Sequence, residues 1–186
     1  MLADTGTPVS PDALAQALDC PREKVLETLR LSPEVEYDPA GNLAGLGLTL
    51  PQTRHQLLLG EQSFYGWCAP DVLVFPVVLA CPARIVSSCP VTGTGIQLTV
   101  KEDHIEDLSP ASATVSIVKD GGMLGKLKEA GCIRQGSCDH QLFFTSQQVV
   151  APWVSEHADF IVFPVEEAFQ GLREVARHQQ ARAAQA

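Results

Sequence analysis

The chain has 186 residues, of which 45% are hydrophobic and 19% charged, and its formal net charge is -9. This composition is typical of a globular protein with a complete core and excludes general disorder. The excess of carboxylates disfavours electrostatic capture of nucleic acid or of an anionic membrane, since both require a surplus of Lys and Arg. We therefore expect one compact unit with a smaller accessory piece, and neither nucleic acid nor a membrane as a partner.

The N-terminal residues lack a basic region followed by an apolar core, so we expect no secretory signal. The longest apolar run, Val72–Cys81, is too short to span a bilayer. A cytoplasmic protein is the resulting expectation, and its cysteines are then free thiols, metal ligands or catalytic groups rather than a disulfide framework. The six cysteines are Cys20, Cys68, Cys81, Cys89, Cys132 and Cys138. No two of them form a C-x-x-C pair, so a cysteine site must be assembled by folding.

Residues 1–50 are predicted to form a small N-terminal module and residues 51–186 the larger core. Pro11 and Pro21 open two short helices with apolar stripes, and two strands flank the Pro39–Asn42 turn. Two helices followed by a hairpin resemble a winged-helix module. DNA binding is disfavoured, because acidic residues interrupt any positive face that could meet phosphates. The module is therefore expected to act as a scaffold that packs on the core.

The segment Tyr65–Asp71 places a thiol three residues before a carboxylate. Pro70 is favoured in the first turn of a helix and Asp71 near the same positive end, so Cys68 is predicted at the helix N-terminus. That position stabilises a thiolate and predicts a pKa for Cys68 below the ordinary cysteine value. The pair fits a nucleophile or soft-metal ligand beside a proton donor. On spacing alone, a buried cysteine and a helix-start carboxylate are the more frequent explanation.

From Arg84 onward the sequence is rich in strands, which predicts a mixed α/β fold. The predicted elements are strands at 84–88, 96–100, 113–118 and 141–144, a short polar helix near 124–130 and a closing helix at 166–180. Cys138 lies where a loop runs into the last of these strands, and Cys68 lies at a helix start. Folding can therefore bring two thiolates to one soft metal ion.

Several further segments are distinctive in sequence and follow one another in a characteristic order. They are Gly47–Thr53, Tyr65–Asp71, Phe75-Pro76, Ala83-Arg84, Ser88–Gly93, Cys138–Phe144 and Glu167–Phe169. In order and approximate spacing they are similar to the organomercurial lyase family, also called alkylmercury lyases. The resemblance covers most of the chain. It implies a short, winged-helix-like N-terminal piece packed on a mixed-sheet core of the alkylmercury lyase type.

The resemblance also implies an activity and the residues responsible for it. In this family two cysteines and an aspartate cleave the carbon–mercury bond, and the matching positions are Cys68, Cys138 and Asp71; the position matching Cys89 is structural. Thiolates capture soft mercury far better than carboxylates or imidazoles, and a positioned carboxylic acid can protonate the attached carbon. The expected products are a hydrocarbon and Hg(II), held by the two thiolates with Asp71 beside them. No resident metal or organic cofactor is expected, and cellular thiols or mercuric reductase are the expected acceptors of Hg(II).

Two alternatives remain open from the sequence. Cys132 lies six residues before Cys138, in a segment that is longer than usual for the family, and it could be a relay thiol, a spare ligand or a plain buried residue. His140 and the phenylalanines after it favour Cys138 as the second thiol, although a lone histidine beside a strand is more often structural than a ligand. The alternative function is a soft-metal binding or trafficking protein of the same fold; the presence of Asp71 favours the enzyme.

Overall fold

A computed structural model describes residues 1–32, 34–119 and 132–183. Its helices are α1 (Leu2–Thr5), α2 (Pro11–Ala17), α3 (Arg22–Arg30), α4 (Ala69–Val78), α5 (Ile133–Gly136), α6 (Gln147–Glu156) and α7 (Val165–Ala183), with a 3-10 turn at Cys138–His140. Its strands are β1 (Glu36–Tyr37), β2 (Leu43–Leu46), β3 (Leu48–Thr49), β4 (His55–Leu59), β5 (Gln62–Gly66), β6 (Ala83–Ser88), β7 (Gly95–Val100), β8 (Ile105–Ser109), β9 (Thr114–Val118), β10 (Phe143–Phe144) and β11 (Phe160–Pro164). The predicted α/β class is confirmed.

The strands form an eight-stranded sheet in the order β1-β2-β3-β5-β4-β6-β7-β8 and a three-stranded sheet in the order β10-β9-β11. Every pairing between described strands is antiparallel, so the expected mixed sheet is corrected: helices and sheets are mixed, but strand directions are not. Short connections explain the pairs that follow one another in the chain, such as β4–β5 and β7–β8. Antiparallel neighbours can be joined by a tight hairpin, whereas a parallel pair needs a crossover of a dozen or more residues.

The N-terminal helices and hairpin occur where the sequence predicts them. Ser10 caps α2 by accepting a hydrogen bond from the Ala13 N–H at 3.1 Å, and the hairpin is formed by β1 and β2. The sheet does not end at residue 50, because β3 pairs with β5. The division into residues 1–50 and 51–186 stays a prediction, and the two parts share one continuous sheet.

Helix α4 is the element around which the core is built. It is apolar on most of its surface, with Val72, Leu73 and Val77 buried, and it packs against α7, where Phe169 is fully buried. Burying a Val, Leu or Phe side chain contributes about 1.5–3 kcal/mol. The N-terminus of α4 is thereby fixed between the two sheets.

Several elements depart from the sequence prediction. The last predicted strand is confined to Phe143–Phe144, because the residues before it form a 3-10 turn, and the closing helix extends beyond its predicted bounds. The polar helix predicted near 124–130 lies outside the described residues. Within the described part of the chain, no helix is both long and apolar enough to cross a membrane.

His55 is a polar group enclosed by the core. Its side chain is 1% exposed, its Nδ1 lies 3.0 Å from Ser87 Oγ and its ring meets the ring of Phe143 at an edge. Burial, reinforced by the charge of Arg54, lowers the pKa of His55 to about 3. The imidazole is therefore neutral in the folded protein at neutral pH.

Candidate active site

The first thiol and the carboxyl group share the first turn of α4. Cys68 is the N-cap residue, in extended conformation, and Pro70 stands in the first turn as predicted. The Cys68 N–H donates to Asp71 Oδ2 at 3.1 Å, and the Asp71 N–H faces the Cys68 sulfur. This reciprocal arrangement is a capping box, which satisfies two backbone donors that a helix start leaves without intrahelical partners. The cap that begins the helix therefore also fixes the distance between thiol and carboxyl.

The second thiol comes from the 3-10 turn that precedes β10. Gln141, just after this turn, accepts a hydrogen bond from the Ala69 N–H at 2.8 Å, which joins the turn to the start of α4. As a result, the Cys68 sulfur, the Cys138 sulfur and a carboxylate oxygen of Asp71 all lie within 4.8 Å of one another. Folding thus brings together the three residues that the sequence singled out.

The three residues of the cluster line a cavity of about 710 Å³. Trp67 and Ile133 pack directly against the two cysteines, which are 2% and 6% exposed. The rest of the lining is mainly apolar and includes Leu46, Phe75, Ile117 and Leu172. Such walls suit the organic part of a ligand whose metal is bound by the thiols.

Gly47 brings the backbone close to the acid. Its φ of 77° is in the left-handed region, and an added Cβ would lie 3.2 Å from Phe75 Cζ and 3.6 Å from Asp71 Oδ1. The Gly47 carbonyl accepts a hydrogen bond from the Trp67 N–H at 3.0 Å. Glycine is therefore required here both for its backbone conformation and for the space it leaves.

Burial sets the protonation of the site. It raises the pKa of Cys68 well above the ordinary value, reinforced by the hydrogen bond with Cys138 and the charge of Asp71. It also raises the pKa of Asp71, although hydrogen bonds from the Cys68 thiol and N–H offset part of this effect. The predicted lowering of the Cys68 pKa is therefore wrong, because desolvation outweighs the favourable helix N-terminus. Burial thus favours the protonated form of the Cys68 thiol and makes the Asp71 carboxylate a better proton acceptor than an exposed one.

The remaining cysteines are not part of the three-residue cluster. Cys132 caps α5, where its sulfur accepts a hydrogen bond from the Gln135 N–H at 3.3 Å. Cys89 is fully buried and begins a turn closed by the Gly93 N–H, Cys20 is half-buried, and Cys81 is exposed. The ring of His140 lies 5.3 Å from that of His157, among aromatic neighbours.

Three charged residues beside the site were missed by the sequence analysis. Arg134 forms an ion pair with Glu36 and lies 5.8 Å from the centre of the Trp67 ring, and the Ile133 N–H donates to Glu34 Oε1 at 2.8 Å. In the sequence, Glu34 and Glu36 stand only among the acidic residues that disfavour DNA binding. Nothing local could have revealed these contacts, because the partners are almost a hundred positions apart in the chain.

Two buried thiols and a carboxyl in the lining of a mainly apolar cavity are typical of a protein that binds a soft metal. An alkylmercury lyase family model matches residues 48–177. Alkylmercury lyases of Streptomyces lividans (38% identical, covering 89% of this chain and 74% of the relative) and Staphylococcus epidermidis (36% identical, 98% and 79%) are similar over most of their length. The chain belongs to the alkylmercury lyase family.

A solved structure gives an independent likeness in fold. The mercury-bound form of MerB2 superposes with a TM-score of 0.75 at 21% identity, covering 94% of this chain and 85% of that one. An alkylmercury lyase of Pseudomonas putida is 38% identical over 93% of this chain and 78% of its own.

Proposed function

We propose that this protein cleaves the carbon–mercury bond of alkyl- and arylmercury compounds, releasing a hydrocarbon and Hg(II). The observation that carries the proposal is the approach of the Cys68, Cys138 and Asp71 ligand atoms to within 4.8 Å of one another in the lining of a mainly apolar cavity. The thiols suit mercury, the cavity suits the organic group, and the carboxyl suits proton transfer.

Capture of the substrate uses both thiols. Cys68 or Cys138 displaces the original ligand of R–Hg⁺, and the proton of that thiol leaves with the displaced ligand. The other thiol then binds mercury and transfers its proton to Asp71, which is within its reach. The mercury now has two sulfur donors, which push electron density onto the attached carbon.

Cleavage transfers that proton to carbon. The neutral Asp71 carboxyl protonates the carbon, the electron pair of the carbon–mercury bond becomes the new carbon–hydrogen bond, and Hg(II) stays on the two thiolates. In total, R–Hg–X and two thiols give R–H, HX and a dithiolate complex of Hg(II), so atoms and charge balance. Burial supports this role for Asp71, because it raises the pKa of the carboxyl and so favours the proton-carrying form.

These residues supply every group in the balanced reaction, so the proposal includes no resident cofactor. Hg(II) leaves by thiol exchange with cellular thiols or with mercuric reductase. A reducing cytoplasm is the matching compartment, because oxidation of Cys68 and Cys138 to a disulfide would remove both ligands.

The test is detection of methane above purified protein incubated with methylmercury and an excess of a small thiol. Wild-type protein should form methane over many turnovers, whereas Asp71→Ala should retain Hg(II) and lose about 10²- to 10⁴-fold in rate. Glu102→Ala, an exposed carboxylate in the turn between β7 and β8, serves as the control and should match wild type. Stoichiometric retention of mercury by wild type without methane would replace the lyase with a thiolate trap.

A further inference from the structure

The segment that carries the second thiol is held at its downstream end by the core. We define the Cys138 segment as residues 132–140, comprising α5 and the 3-10 turn. Gln141 follows it directly, accepting from the Ala69 N–H at 2.8 Å through its carbonyl and from the Val118 N–H at 3.2 Å through its side chain. This anchor joins the segment to α4 and to the three-stranded sheet.

The upstream end is held by the N-terminal module. Glu34 Oε1 accepts a hydrogen bond from the Ile133 N–H at 2.8 Å, and Glu36 pairs with Arg134 while also accepting from the Thr49 hydroxyl. We call Glu34 and Glu36 the glutamate strap. The Glu36 side chain is only 21% exposed, so its hydrogen bonds are less screened than those of a surface ion pair.

The strands around the glutamate strap leave space for the Glu36 side chain at Gly45. Gly45 pairs with Glu36 on β1 and with Thr49 on β3. A Cβ on Gly45 would lie 2.7 Å from Glu36 Oε2 and would collide with the Thr49 side chain. Glycine inside a strand commonly marks such a close approach. The Glu36 contacts are therefore packed in place rather than formed by a mobile surface side chain.

We infer that Glu34 and Glu36 are positioning residues, which keep the Cys138 segment in the place where the Cys138 sulfur can share a metal with Cys68. Cys138 lies between the two anchors, and Ile133, at the upstream anchor, packs against the cluster formed by Trp67, Cys68 and Cys138. Releasing the upstream anchor leaves the second thiol held from the downstream side, by Gln141 and by the hydrogen bond from the Ser116 hydroxyl to the His140 carbonyl at 2.7 Å. The catalytic part of this inference rests on the proposed function, whereas the metal-binding part does not.

The experiment compares Glu34→Gln, Glu36→Gln and the double variant with wild type. Glutamine keeps the side-chain length and removes the charge, and Glu27→Gln, an exposed position on α3, is the matched control. Retention of Hg(II) is measured by competition with a small dithiol, and kcat and KM are measured with methylmercury. Replacement of two charge-assisted hydrogen bonds by weaker neutral ones predicts a decrease of about tenfold or more in Hg(II) affinity and in kcat/KM for the double variant. The control should match wild type.

A purely structural role would change only the melting temperature. Wild-type Hg(II) affinity and kcat/KM in the folded double variant would therefore overturn the inference. If the double variant does not fold, Glu34→Ala alone decides, because it removes the hydrogen bond that Glu34 accepts from the Ile133 N–H. If wild type itself releases no hydrocarbon, the proposed function fails, while the competition for Hg(II) still tests the strap.

Discussion

Acidification should destabilise the protein through His55. Burial lowers the pKa of this residue from 6.5 to about 3. Below pH 6.5 the imidazole therefore binds a proton in the unfolded chain but stays neutral in the folded protein. The stability contributed by the neutral imidazole is therefore complete above pH 6.5 and is lost as the pH falls toward 3. One proton corresponds to about 1.4 kcal/mol per pH unit within that window, or about 2 kcal/mol between pH 7 and pH 5.

The assay is urea-induced unfolding of wild type and His55→Asn at pH 7, 6 and 5. Asparagine retains a polar atom near the position of Nδ1, which faces Ser87, but it does not titrate. The difference in free energy of unfolding between the two proteins should change by about 2 kcal/mol over this range. His178→Asn, at an exposed position on α7, should follow wild type. Parallel pH curves for wild type and His55→Asn would refute the argument.

Three further outcomes are expected. Cys138→Ser should lose nearly all methane formation, whereas Cys132→Ser should retain it; the reverse result in the same assay would exchange their assignments. Asp71→Asn should resist urea better than wild type at pH 7, because the raised pKa of Asp71 means that ionisation of this carboxyl destabilises the folded protein. This advantage should disappear at pH 3, where the carboxyl is protonated in the folded and the unfolded protein alike. Gly47→Ala should be destabilised by about 1–2 kcal/mol from its positive φ alone, measurable by urea unfolding, and should also lower kcat by displacing the acid; wild-type values of both would contradict this reading.

The sequence was sufficient for the parts of the site that are local. Cys68 and Asp71 belong to one helix start, and the rules for capping and for proline in the first turn place both residues before any tertiary contact is known. The sign of the Cys68 pKa could not be obtained in this way. It is decided by the neighbours that bury the thiol, and these come from distant segments.

Strands β4 and β5 were missed for a different reason, which is local to their own sequence. The hairpin of β4 and β5 was not predicted, although Gly60 and Glu61 form its two-residue turn and Gly60 has a φ of 58°. Glycine at that position is a recognisable hairpin signal. The three leucines before Gly60 interrupt the alternation of inward and outward residues that would indicate a strand. A short apolar run of this kind is equally compatible with a buried helix.

The interactions of Arg134 lay beyond sequence reasoning altogether. Its partner Glu36 is 98 positions away, on a strand of only two residues. Pairing across that distance depends on the register of the sheet edge and on the space left by Gly45. None of these has a signature within a short window of sequence.

Because of the capping box at α4, one part of the site is fixed by local structure and the other part depends on long-range contacts. Four consecutive residues, Cys68–Asp71, set the spacing between the first thiol and the acid through the backbone of a single helical turn. The second thiol has no such local support and is placed by the folding of the whole chain. Changes elsewhere in the protein can therefore move Cys138, and with it the size of metal-bound group that fits, while the thiol–acid pair stays intact. Engineering of substrate range should accordingly start from the Cys138 segment and leave the helix start unchanged.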